Sequence, residues 1–216
     1  MLGPLGNVLA LGIASAASPG IFALALAMLA SKNHPVKRVC ALFAGGALVA
    51  FVLALLGSEI GSGSLHLTNS HYNNQSVDFF LGALMLCFGA VSLFSKPDKL
   101  KAGQTASPHL AKVFALGIII NATNLDAVLL NFAAVRDVAS AQLGFLRELL
   151  LIALAGFFFL SPALLPLLVY IYAPARAEKM LQPIGLAMAK YGRYLVALIF
   201  FVFGAYFVAK SGFLPF

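Results

Sequence analysis

Long apolar segments separated by short polar breaks dominate this chain and limit what it can fold into. Six such segments lie near 5–30, 38–60, 77–95, 109–135, 144–172 and 190–210. A helix needs about 20 apolar residues to cross the roughly 30 Å hydrocarbon core of a bilayer, and each segment reaches or approaches that length. Since 62% of the 216 residues are hydrophobic and 10% are charged, polar groups could not cover the surface of a soluble domain. We therefore predict an all-α integral membrane protein with six transmembrane helices and no soluble catalytic domain.

The basic residues are unevenly divided between the two sides of the predicted bundle. Eleven of the fourteen lie in or beside the loops after the first, third and fifth segments, whereas Arg136, Arg147 and Lys210 lie on the other side. Because Lys and Arg accumulate on the cytoplasmic side of a membrane, we predict a multi-pass protein of the cytoplasmic membrane with both termini outside. The net charge of +7 is then a topology signal, and we expect no nucleic-acid partner. No basic residue precedes the first segment, which we expect to be a retained helix rather than a signal peptide.

The two halves of the chain resemble each other. The stretch VLALGI at 8–13 matches VFALGI at 113–118 in five of six positions, and FGA occurs at both 88–90 and 203–205. We interpret this as two three-helix repeats, about 1–96 and 109–216, within a single transmembrane domain, 1–216. Because three spans are an odd number, the repeats have opposite orientations in the membrane, which is the inverted-repeat plan of many secondary transporters.

Each repeat is predicted to break its first helix at the same place, so that spans one and four are both broken. The sequence SPG at 18–20 aligns with TNL at 123–125. Pro19 cannot continue a helix, and Ser18 before it has the N-cap pattern that restarts one. Thr123 has an acidic residue three positions later, which predicts that it caps the second restarted half-helix. Both half-helices would point a positive dipole end toward the membrane centre, where a polar or anionic group can bind.

Asp126 is the acidic residue that lies deepest in a predicted span. A carboxylate there costs a few kcal/mol and usually faces a pocket or an ion path. Asn121, Asn124 and Asn131 add polar groups within one broad helical face. Two interpretations stay open: a midplane solute or proton-coupling site, or a helix cap with asparagines that bond between helices. The candidate substrate-binding or coupling residues are Ser18, Pro19, Gly20, Asn121, Thr123, Asn124 and Asp126.

Catalytic and metal-binding patterns are weak in this sequence. His66 and His71 lie in a polar loop at 61–76, but they lack neighbouring carboxylates or cysteines, so we predict no metal site. An enzyme acting on lipid would need His, Asp or Glu clustered near one membrane surface, where the inner loops offer mainly Lys and Arg. Cys40 and Cys87 are predicted to be small buried apolar side chains. We expect no catalytic residue and no cofactor.

Short motifs relate the chain to a known group of exporters. ASPG at 17–20, followed by a basic loop and FAGG at 43–46, resembles the LysE superfamily of small six-span exporters. The second half is similar to one branch, the peptidoglycolipid addressing protein (GAP) family, at 121–126 and 173–181. The resemblance implies export, with substrates from amino acids and metal ions to glycolipids. The chain departs from that branch at 122–123, where Ala-Thr replaces Pro-Lys, and in having no Trp.

These features are consistent with two functions. The leading hypothesis is a secondary transporter that moves a small polar or amphipathic solute outward by rocking one repeat against the other. Pro19 and Gly20 would form the hinge, Asp126 would titrate or coordinate, and the Ser, Thr and Asn side chains would supply hydrogen bonds. Its partners would be a small-molecule or lipid substrate and membrane lipids, and a homodimer stays open. The alternative is a non-transporting scaffold or assembly subunit for envelope lipid export, in which broken helices would have no purpose.

Overall fold

The computed structural model describes residues 3–31, 34–63, 70–94 and 109–212, and the regular structure in these ranges is α-helical. Proline occupies the first turn of several helices, where its missing N–H is not needed for helix bonding. The helices follow in the order α1 (Pro4–Ser15), α2 (Pro19–Leu29), α3 (Pro35–Ser62), α4 (Ser70–Phe94), α5 (Leu110–Thr123), α6 (Leu125–Ser140), α7 (Phe145–Tyr172) and α8 (Pro174–Lys210).

Four of the described helices are long and apolar enough to cross a membrane alone: α3, α7, the Gln75–Phe94 part of α4 and the Lys190–Lys210 part of α8. The others form two bent pairs. The axes of α1 and α2 differ by 56°, and those of α5 and α6 by 72°. The described residues thus include four candidate membrane-spanning helices, or six if each bent pair is one span. The breaks predicted in the first and fourth segments are confirmed.

Two helices extend beyond the predicted segments. Helix α8 begins at Pro174 rather than near 190 and runs for 37 residues. At 1.5 Å per residue it is about 55 Å long, well beyond the hydrocarbon core, so part of it lies outside. Helix α6 continues to Ser140 rather than ending near 135, which brings Arg136 and Asp137 into the helix.

The second helix of each predicted repeat packs against the broken helix of the other. Helix α3 lies against α5 and α6, whereas α7 lies against α1 and α2. Helices α4 and α8, the last of each repeat, pack against each other. The largest buried apolar cluster combines side chains from α1, α4, α6, α7 and α8. The two parts of the chain are therefore intertwined rather than side by side.

Glycines permit the closest of these helix contacts. A Cβ atom on Gly45 of α3 would lie 2.5 Å from the carbonyl oxygen of Phe114, and one on Gly117 of α5 would lie 2.5 Å from that of Leu42. Small residues commonly allow the backbones of membrane helices to approach this closely. The contact between α3 and α5 is therefore made by backbone on both sides, and it fixes α5 just before the second break.

Candidate functional site

The first break lies between Ser15 and Pro19. Ser18 is the N-cap of α2, with extended backbone (φ −105°, ψ 91°), and Pro19 is the first helical residue, as predicted. Proline cannot donate to the preceding turn, and this local property ends α1 and restarts the chain as α2. The Ser18 hydroxyl makes no cap hydrogen bond to its own helix, although the side chain is only 1% exposed.

The second break is shorter and differs from the prediction by one residue. Asn124, not Thr123, is the N-cap of α6, which begins at Leu125. Thr123 is the last residue of α5, and its hydroxyl donates back to the carbonyl oxygen of Ile119 at 2.7 Å. The prediction that Thr123 caps the restarted helix is wrong because its hydroxyl bonds back to the preceding turn of α5, an alternative that competes with capping.

The two breaks meet. The amide nitrogen Nδ2 of Asn124 donates a hydrogen bond to Oγ of Ser18 at 2.7 Å, across 106 residues of sequence. Each of these side chains belongs to the N-cap of a half-helix, so the starts of α2 and α6 lie side by side. In each helix the first N–H groups have no partner within the helix. The structure therefore brings two positive helix ends to one place.

Asp126 is the second residue of α6 and is partly exposed. Its carboxylate lies beside the backbone N–H groups of Asp126 itself and of Ala127. A carboxylate in the first turn interacts favourably with the helix dipole. The contacts of Asp126 are therefore those of a residue that stabilises the start of α6, next to the Asn124–Ser18 contact.

The asparagines do not form one polar face. Asn121 is buried on α5 and donates to the carbonyl oxygen of Gly117 at 2.8 Å. Asn131 is buried on α6 and donates to the carbonyl oxygen of Ala155 on α7 at 3.0 Å. The prediction of a shared face is wrong because the chain bends by 72° between these residues. Asn131 instead links two helices, which is the structural alternative.

A second polar site, which the sequence did not reveal, is an ionic cluster formed by Asp78, Arg136, Asp137 and Lys210. Arg136 on α6 forms an ion pair with Asp78 on α4, with the nitrogen and oxygen 2.5 Å apart. The two side chains are 2% and 7% exposed, respectively. Lys210 at the end of α8 lies 2.8 Å from Asp137 and 3.7 Å from Asp78. Two basic and two acidic groups thus compensate one another where three helices meet.

The ionic cluster also reaches α1. Asn7 donates through Nδ2 to the second carboxylate oxygen of Asp137 at 3.2 Å. The available signal in the sequence was the placement of Asp78, Arg136 and Lys210 near the ends of apolar segments on the same predicted side. Their spacing along the chain gave no sign that they touch.

The remaining predictions concern the two cysteines, two histidines and metal binding. Cys40 and Cys87 are exposed thiols, so the prediction that they are buried is wrong. Both lie on candidate membrane-spanning helices, where an apolar side chain can face lipid instead of the core. His66 and the side chain of His71 lie outside the described residues. Among the groups that the structure describes, no three His, Cys, Asp or Glu side chains lie close enough to hold a metal ion.

Comparison with known proteins gives one family. A family model described as Sap, sulfolipid-1-addressing protein, matches residues 8–212. The matched range contains both helix breaks and all four charged residues of the ionic cluster. No curated protein and no solved structure matches the chain.

Proposed function

We propose a function for this chain on the basis that it belongs to the Sap, sulfolipid-1-addressing protein, family. The chain is a secondary transporter that exports an amphipathic, lipid-like solute across the cytoplasmic membrane. The family description and the membrane helices support a role in lipid addressing. That description favours a lipid over an amino acid or a metal ion as the solute. We also propose that the chain belongs to the LysE superfamily and that both of its termini lie outside the cytoplasmic membrane.

The observation that carries the proposal is the hydrogen bond between Asn124 and Ser18. It brings together the starts of two half-helices within apolar spans, and the positive dipole ends of these half-helices can hold the polar head of a solute. Asn121, Thr123 and Asp126 lie within three residues of Asn124 along the chain. In this proposal they and Ser18 contact the solute, and Asp126 couples its movement to a proton or cation.

The helix packing supports an inverted-repeat mechanism. If α1–α2, α3 and α4 correspond to α5–α6, α7 and α8, each repeat holds the broken helix of the other. Rocking one repeat against the other would then change the separation of the two breaks, with Pro19 and Gly20 as the hinge. Gly20 is exposed, and a Cβ atom built on it would meet no atom within 4 Å, which leaves room for this movement.

The ionic cluster is expected to close one side of this transporter. Three of its contacts, Asp78 with Arg136, Asp78 with Lys210 and Asn7 with Asp137, join residues of different repeats. These contacts have to separate if the repeats rock apart at that end. With both termini outside, the cluster lies at the outer face, so the described conformation is closed to the outside.

A scaffold for envelope lipid export is the second candidate. It is favoured by the way the polar side chains at the breaks bond to the protein itself: Asn121 to Gly117, Thr123 to Ile119 and Asn124 to Ser18. In a scaffold these bonds would persist, and the breaks would serve only to shape the bundle. A transporter must exchange at least the Asn124–Ser18 bond for contacts with its solute.

Lipid movement in proteoliposomes distinguishes the two candidates. The probe is phosphatidylglycerol with a fluorescent label, and the measurement is the rate at which it crosses the bilayer, read by dithionite quenching. We expect wild-type protein to speed this movement over protein-free vesicles and Ser18→Ala to slow it at least about tenfold, the effect of about 1.4 kcal/mol. Ser18 makes no cap bond, so this variant leaves the start of α2 intact.

Ser62→Ala is the matched control, because it removes an exposed hydroxyl that bonds to the Glu59 carbonyl oxygen, away from both breaks. The control should move the probe at the wild-type rate. Equal rates for wild-type and protein-free vesicles would reject transport of this lipid class and favour the scaffold.

A further inference from the structure

Helix α8 touches the first break directly. A Cβ atom on Gly192 would lie 2.9 Å from Cγ of Pro19, the first residue of α2. On the next residue, the Arg193 carbonyl oxygen accepts a hydrogen bond from Oγ of Ser92 at 3.4 Å, close to the end of α4 at Phe94. This part of α8 therefore lies both beside the break and beside the end of a candidate span.

The same part of α8 lies far from the ionic cluster. Seventeen residues separate Arg193 from Lys210, which corresponds to about 26 Å of helix. That distance approaches the roughly 30 Å thickness of the hydrocarbon core. The candidate span Lys190–Lys210 ends at the ionic cluster and begins beside Arg193, so Arg193 lies at the end of this span away from the ionic cluster.

Two cations and two tyrosines form an exposed patch around Gly192, which we call the cationic patch: Lys190, Tyr191, Arg193 and Tyr194. All four side chains are exposed. Nζ of Lys190 lies 4.9 Å from the Tyr191 ring centroid, and the Arg193 guanidinium lies 4.5 Å from that of Tyr194. Within the described part of the chain, no carboxylate forms an ion pair with either cation. The patch therefore carries uncompensated positive charge.

An apolar lane continues from the cationic patch along α8. Leu198, Phe201 and Val202 are 61%, 39% and 56% exposed. Leu198 lies four residues after Tyr194, and Phe201 and Val202 lie three and four residues after Leu198, so on a helix they share one side with Tyr191 and Tyr194. A charged end followed by an exposed apolar lane matches a molecule with an anionic head and an acyl chain, and not a free anion.

We propose that Lys190 and Arg193 bind the head group of an anionic lipid at the point where α8 meets the first break. The recognised group is a phosphate or sulfate ester, the acyl chain lies along the apolar lane, and the lipid comes from the adjacent leaflet. As the place where a solute enters the transporter, this site rests on the proposed function. As a lipid-binding site it does not depend on transport.

Native mass spectrometry of the purified full chain tests this site, with phosphatidylglycerol and phosphatidylcholine offered as an equal mixture. We expect wild-type protein to retain phosphatidylglycerol preferentially and Lys190→Gln/Arg193→Gln to retain it about thirtyfold less, since each cation near an anionic surface contributes about a factor of five. The matched control is Arg176→Gln/Lys179→Gln, which removes the same charge from exposed positions of the same helix. It should retain the lipid as wild type does, and so should Arg193→Lys with Lys190 intact.

Equal losses for the two double variants would overturn the site, because the attraction would then be a general effect of charge. Release of the lipid by excess inorganic phosphate would also overturn the site, because it would identify a site for free anions. Equal melting temperatures of the variants show that the fold is retained, as expected for exposed residues. If the protein retains the lipid at this site but does not move it across a bilayer, the lipid-binding site is supported and the proposed transport is rejected.

Discussion

The guanidinium of Arg136 on α6 forms an ion pair with the carboxylate of Asp78 on α4, although the two residues are 58 positions apart in the sequence. Both side chains are buried, and they belong to different halves of the chain. The pair therefore links the halves directly, and the remaining members of the ionic cluster, Asp137 and Lys210, form a second pair of opposite charges. A buried ion that loses its partner is destabilised much more than an exposed one.

Removal of the Asp78 charge should destabilise the folded protein. We expect Asp78→Asn to lower the free energy of unfolding by about 3–5 kcal/mol, because Arg136 would stay buried with its charge less compensated. Asp78→Asn/Arg136→Gln should regain part of the loss, which a double-mutant cycle measures as a coupling energy. Glu59→Gln changes an exposed carboxylate and is the control. Equal effects of Asp78→Asn and Glu59→Gln would show that the ion pair contributes little.

Gly45 should tolerate no side chain. A methyl group on Gly45 would meet the backbone of α5, which has no flexible end that can move aside, so Gly45→Ala should cost about 1–3 kcal/mol. Gly156 of α7 offers the matched control because a Cβ atom there meets nothing within 4 Å. Gly156→Ala should stabilise its helix by about 0.5–1 kcal/mol. Melting temperatures that change in the same direction for both variants would contradict the close contact of α3 and α5.

Asp126→Asn separates the two roles of this residue. The amide keeps hydrogen-bonding groups at the start of α6 and loses only the favourable charge, so stability should fall by less than about 1 kcal/mol. If Asp126 couples transport to protons, flux of the fluorescent lipid should no longer respond to a pH gradient across the vesicle membrane. Glu59→Gln should respond as wild type does. An unchanged response of Asp126→Asn would leave Asp126 with its structural role alone.

Local chemistry explains why the positions of the breaks could be predicted. Pro19 prevents a continuous helix whatever surrounds it, and Ser18 is a favoured N-cap before it. At the second break both Thr123 and Asn124 are suitable N-caps, and the sequence does not distinguish them. The choice of Asn124 accompanies its contact with Ser18, which depends on tertiary packing.

The ionic cluster could not be predicted because its contacts join residues 58 to 132 positions apart. Each of its charges lies near the end of an apolar segment, where exposure to water is the ordinary expectation. Helix α6 runs past the predicted boundary and takes Arg136 and Asp137 into the bundle. The lengths of the apolar segments were a good guide to the helices but not to which charged ends were buried.

The central claim is that the contact between Ser18 and Asn124 opens during transport. The direct test is lipid flux through Ser18→Cys/Asn124→Cys, made in a background with Cys40→Ser and Cys87→Ser because both native thiols are exposed. A short bis-methanethiosulfonate reagent joins the two breaks by forming a disulfide with each thiol and losing methanesulfinate, and a reducing agent cleaves these disulfides. The single-cysteine variants treated with the same reagent are the controls. We predict that cross-linking abolishes the residual movement of the fluorescent phosphatidylglycerol that the reduced double-cysteine protein supports and that reduction restores this residual rate. Equal flux through the reduced and the fully cross-linked protein would contradict the claim.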